Sequence, residues 1–326
     1  MEENLKGASG EREGSAATEN IRAATAGDNN ENSVHDATQK RRRLPKALRR
    51  QLYPNWVDIL AIVGIIIVSQ LAGGLVSILL RNVAALDPAL VTALGYFVQM
   101  TLAIVFVLLQ RKGRNINTNV IKLGASHVNA PLILWGVVLI FATGMVIEPL
   151  LALFPAEYMQ MLDQGIGSGG WAIFMTVLLA PVMEEVLFRG LIQGSIEERD
   201  GAVKAIFIAA LIFGLVHFIP QQAINAFFVG IILGYIYYRT RSLLTVMLLH
   251  ALNNGIAYLQ MELLGGAAGG FTTRELIGND NIYYIIYGLS VLLFVIGAVA
   301  IFRRLKTGSE QSADSLPAKD SVTDNN

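Results

Sequence analysis

Cysteine is absent from the 326 residues, which excludes disulfide staples, thiolate metal sites and a cysteine nucleophile together. Charge is scarce as well. Asp, Glu, Lys and Arg make up 15% of the chain, against about a quarter in a soluble domain. Histidine occurs only four times, and no contiguous His-Glu-x-x-His helix, the signature of many zinc hydrolases, is present. The first 39 residues are polar and do not read as a cleavable signal peptide. What fills the chain instead is apolar: a hydrophobic fraction of 53% and a mean hydropathy of +0.51. That composition describes a polytopic membrane protein.

Residues 1–39 hold eight acidic and three basic side chains and almost no large apolar ones. They cannot bury enough surface to offset chain entropy, so disorder is expected, with His35 solvated there. Residues 40–50 carry seven basic side chains and no acidic one. Ahead of a first span, such a run is a topology signal and an anchor to anionic lipid headgroups; nucleic acid is not an expected partner. The chain therefore divides into a polar tail with its basic run (1–50), a membrane helical domain (51–306) and a second polar, disordered tail (307–326).

A hydrocarbon core about 30 Å thick takes about 20 helical residues to cross. Eight stretches qualify, near 56–80, 89–109, 130–154, 171–196, 202–218, 223–238, 243–260 and 282–302. Lys and Arg test this map. With the N-terminus inside, one side collects the basic run, Arg111, Lys112, Arg114, Lys122, Arg199, Lys204, Arg239, Arg241, Arg303, Arg304 and Lys306, and the other only Arg81 and Arg274. The expected fold is thus all-α, a bundle of eight transmembrane helices with both termini cytoplasmic. Segment 265–270 (GGAAGG) reads as a flexible outer loop. Trp56, Tyr283 and Tyr284 fit an aromatic interface belt. Gly73, Gly74, Gly230 and Gly234 fit close-packing positions, and Glu148 an interfacial one.

The fourth stretch breaks the rule that spans avoid charge, since it carries Glu184, Glu185 and Arg189. Ionisable groups at membrane depth are costly and mark function by default. At about 1.5 Å rise per residue, Glu184, His217 and His250 lie about 18, 20 and 14 Å from the cytoplasmic side. Three helices thus deliver one carboxylate and two imidazoles to similar depth. Glu185 and Arg189 stand four apart in the favoured order for a pair, and holding the bundle together explains them equally well. Glu184 points about 100° away from Glu185, so it needs another partner, and the imidazoles are the candidates. Phe213 shares a face with His217, and Asn254 with His250. His127 lies in a loop.

A glutamate and a histidine can deprotonate a water, while a second imidazole and an amide donate to an oxyanion. That constellation suits amide hydrolysis. No serine adjoins either histidine in sequence, although Ser69 can approach in space. A zinc set of Glu184, His217 and His250 is the weaker alternative.

The same residues resemble a known family. Glu184-Glu185-Val-Leu-Phe-Arg189, Phe213-Gly-Leu-Val-His217 and His250-Ala-Leu-Asn-Asn254 are similar, in order, to the three motifs of the CAAX protease and bacteriocin-processing (CPBP) family of intramembrane proteases. The resemblance covers roughly 171–263. It implies an eight-helix membrane fold with a water-accessible cavity, and peptide hydrolysis with Glu184 and His217 activating water. His250 and Asn254 would stabilise the oxyanion, with Glu185, Arg189 and Phe213 in support. A divalent metal such as zinc is not required by this mechanism. Implied partners are membrane lipids and a peptide or membrane-protein substrate, prenylated in some relatives; the implied location is the cell membrane of a bacterium. Two other readings compete: a non-catalytic membrane scaffold or bacteriocin immunity protein, and a proton-coupled transporter. The transporter predicts an inverted repeat, which the sequence does not show.

Overall fold

Apolar runs of this length satisfy their own backbone hydrogen bonds as helices, the open-chain solution to a lipid environment. The computed structural model describes residues 53–81, 86–114, 123–125, 128–155, 157–264 and 272–314. Among these there are ten helices and no strand: α1 (Trp56–Arg81), α2 (Pro88–Gly113), α3 (Ala130–Leu151), α4 (Glu157–Ile166), α5 (Gly170–Asp200), α6 (Ala202–Leu215), α7 (Pro220–Thr240), α8 (Leu243–Leu264), α9 (Thr273–Ile277) and α10 (Asp280–Asp314). The polar N-terminal tail with its basic run, His35, Lys122, His127 and the 265–270 loop lie outside the described residues.

Six of these helices (α1, α2, α3, α5, α7 and the 280–305 part of α10) are long and apolar enough to cross a membrane. The chain is a multi-pass membrane protein. The remaining two expected spans exist as helices but do not meet that measure. Helix α6 has only 14 residues, and α8 carries His250, Asn253 and Asn254 along its length. Two boundaries also differ from expectation. Helix α6 ends at Leu215, which leaves His217 in a turn. Helix α10 runs on to Asp314, eight residues into the segment expected to be a disordered tail.

Helices α1 and α2 form an antiparallel pair with their backbones close together. A Cβ on Gly73 would stand 2.5 Å from the Gly95 carbonyl oxygen, and one on Gly95 would stand 2.6 Å from that of Gly73. Small residues allow such an approach in membranes. Gly230 and Gly234 serve the same purpose on α7, against Ala210 and Gln193. Gly74 meets open space instead.

The apolar core joins α1 and α2 (Ile62, Ile66, Met100, Val107) to α5 and α6 (Leu187, Leu191, Ile192, Phe213). A second core joins α3, α7 and α8 through Leu139, Leu233, Ile236 and Leu249. Polar bonds lock one end of the bundle. Arg114 pairs with Asp58 at 2.7 Å, Arg241 with Glu197, and buried Arg111 donates to Ser195.

At the opposite end, Glu148 does more than meet the interface. Its Oε1 accepts from the Thr273 backbone N–H at 2.5 Å, and it bonds Tyr283. Tyr283 is accordingly buried, whereas Trp56 and Tyr284 point outward as belt residues.

Candidate active site

Helix α5 is not uniformly α. The stretch Ala180–Glu185 is α-helical, but Phe174–Leu179 before it and Val186–Gln193 after it are π-helical. Widened turns of this kind are rare and gather at functional sites. Here they bracket the two adjacent glutamates.

The glutamates face different surroundings. Glu185 is fully buried, and its Oε1 accepts from Arg189 Nη1 at 2.9 Å and from His250 Nδ1 at 2.7 Å. Arg189, also buried, lies 4.6 Å over the Phe213 ring and reaches the Gly230 carbonyl at 3.5 Å. The pair is therefore part of a larger cluster in which Phe213 also meets both histidine rings edge-on, at 5.0 and 5.8 Å. Glu184 is only partly covered. Its Oε1 accepts from the Tyr96 hydroxyl of α2 at 2.5 Å. Its Oε2 stands 3.7 Å from His250 Nε2, beyond hydrogen-bond length.

His217 occupies the turn between α6 and α7. Its Nδ1 lies 2.6 Å from the Phe213 carbonyl. A carbonyl only accepts, so Nδ1 carries the hydrogen and Nε2 of the neutral ring holds the lone pair. The turn is tight: the Ile219 N–H bonds the His217 carbonyl at 2.6 Å around Phe218, whose φ is +56°. A three-residue turn with a bulky residue at positive φ is strained, and such strain concentrates at functional sites.

Glu184 and His217 line one cavity of about 190 Å³, together with Tyr96, Gln70, Gln99 and Gln222. His250 stands between the two carboxylates, behind that wall. The Asn254 amide donates to the Thr176 carbonyl at 3.0 Å and accepts from Asn253 at 3.1 Å. Ser69 is buried and its hydroxyl bonds to neither histidine.

The expectation that Glu184 needs a partner besides Arg189 holds, but its hydrogen-bonding partner is a tyrosine. Sequence reasoning missed Tyr96 and Gln70 because it searched the spans for charge. The available signal was weaker: a phenol or carboxamide inside an apolar run must still satisfy its polar atoms.

Among the described residues no three His, Cys, Asp or Glu side chains converge as a metal-binding group. Glu184, His217 and His250 are not grouped in that way in this arrangement.

A family match falls on the stretch that holds these residues. A Bacillus subtilis (strain 168) protein, "Putative membrane peptidase YdiL", is 26% identical over 91 residues, 28% of this chain and 37% of that protein. The chain thus matches little more than a third of the length of that relative. No solved structure matches. Residues 167–256, which contain all three motifs, match the type II CAAX prenyl endopeptidase Rce1-like family. The stretch similar to the Rce1-like family is thus the 167–256 part of a multi-pass membrane protein.

Proposed function

We propose that this chain is an intramembrane endopeptidase of the CAAX-protease type, in which Glu184 acts as general base on a water held beside His217. The single observation that carries this reading is that Glu184 and His217, from separate elements, line one cavity, each with an uncommitted atom. Tyr96 occupies Oε1 of the carboxylate, which leaves Oε2 for the water. The His217 Nε2 lone pair is a second acceptor for the same molecule.

In the proposed step the water oxygen bonds to the scissile carbonyl carbon while one of its protons passes to Glu184. The tetrahedral oxyanion needs donors. In this reading the donors are the His250 ring and the second N–H of Asn254, which the family resemblance supplies and which lie outside the cavity's lining. Collapse breaks the C–N bond, and the proton held by Glu184 goes to the leaving amine. Glu185, Arg189 and Phe213 hold the His250 ring and the α5–α7 contact in place.

The proposed substrate is a peptide segment reaching the membrane interior, with a prenylated C-terminus as one form to compare. The test uses the purified chain in liposomes with matched prenylated and unprenylated reporter peptides. Wild type should cleave at least one and Glu184→Ala none, with both inserted equally. Equal cleavage by Glu184→Ala sinks the mechanism. Capture of an intact peptide without cleavage by wild type favours the scaffold reading instead.

A further inference from the structure

One residue of the cavity's lining carries an acceptor that the water-activating residues do not use. Gln70, on α1, donates from Nε2 to the Val216 carbonyl at 2.6 Å. That bond fixes which way the carboxamide faces, because a carbonyl cannot meet the amide oxygen. Gln70 Oε1 is therefore turned elsewhere; it is buried and has no hydrogen-bond partner. The residue lines the same cavity as Glu184 and His217. Buried acceptors are costly to leave unpaired and rare enough that each asks for an explanation.

We infer that Gln70 is a substrate-binding residue whose Oε1 accepts a main-chain N–H of a peptide lying in the cavity. The inference rests on the endopeptidase reading above and adds a contact from outside the stretch similar to the Rce1-like family.

The chemistry is reciprocal. A peptide entering a membrane-embedded site brings main-chain N–H groups that have lost water and must be satisfied. Gln70 presents a fixed acceptor with the opposite deficit. Its other end holds Val216, the residue before His217, so one carboxamide ties the substrate backbone to the turn that carries the histidine. A carboxamide reads the main chain and not a side chain, so the contact sets position without restricting sequence at that residue.

The experiment is an N-methyl scan. Each main-chain N–H of a cleavable reporter peptide is methylated in turn, and KM is measured for wild type and Gln70→Leu in liposomes. At one position methylation should raise the wild-type KM about three- to tenfold, the worth of one hydrogen bond. In Gln70→Leu, methylation at that position should cost nothing further. Should Gln70→Leu turn over too slowly, displacement binding of the same peptides gives the same comparison. Identical penalties in both proteins overturn the inference, since Oε1 then serves only a water. Absence of cleavage by wild type, or full cleavage by Glu184→Gln, sinks the endopeptidase reading and this inference with it. Glu184-dependent cleavage without the coupling removes Gln70 alone.

Discussion

The Tyr96 hydroxyl donates to Glu184 Oε1 at 2.5 Å, joining two helices across 88 residues of sequence. The bond takes up one carboxylate oxygen; the other is the one that the proposed mechanism assigns to the water. Tyr96→Phe removes only the donor. A hydrogen bond to a charged group contributes about 1.5–3 kcal/mol, so kcat should fall about 10- to 100-fold with KM within about twofold. A loss confined to KM, or a variant as fast as the parent, would show that Tyr96 does not orient the base.

His217→Gln removes the Nε2 lone pair while keeping a polar side chain in the turn. Acid–base groups contribute about 10²- to 10⁴-fold, and the variant should lose kcat on that scale while inserting normally. Steady-state cleavage in liposomes reads it out. Activity within about threefold of wild type contradicts a role in holding the water.

Glu185 and Arg189 form a fully buried pair at 2.9 Å. Removing one partner of such a pair strands the other and costs about 3–5 kcal/mol. Arg189→Leu should therefore lower unfolding stability on that scale, measured by denaturant titration in detergent. Glu185→Gln combined with Arg189→Leu should recover part of the loss, because no uncompensated carboxylate remains there. If the double variant is less stable than the single, the charges matter through another contact.

Adjacent glycines on α1 give a clean contrast. Gly73→Ala drives a methyl group into the Gly95 backbone, whereas Gly74→Ala meets nothing within 4 Å. Gly73→Ala should separate α1 from α2, with a measurable loss of stability and a disturbed Tyr96. Gly74→Ala should be neutral or stabilising by up to about 1 kcal/mol, through helix propensity. Thermal melts of the two variants in one detergent decide it.

Much of this protein was legible as sequence because its causes are local. Apolar runs long enough to span a bilayer must become helices, and charge inside them announces a site. The triplet Glu184, Glu185 and Arg189 and the histidines His217 and His250 stand out as candidates in that way, and the structure brings them close together. The i, i+4 spacing of Glu185 and Arg189 gave their contact directly, even across the onset of π-helix.

Uniform helical counting failed where the helices are not uniform. It placed His217 within a span, because nothing in the apolar run before it marks Leu215 as the last helical residue. It could not register the π-helical stretches, which change the phase of every side chain beyond them. Only tertiary packing decided that Tyr96 meets Glu184, that His250 stands between two carboxylates and that Gln70 reaches Val216. Hydrophobic periodicity fixes each helix and its buried stripe, whereas partners 65 to 146 residues apart are set by how the stripes dock. A pattern within one helix carries no record of which neighbour its polar atoms will find.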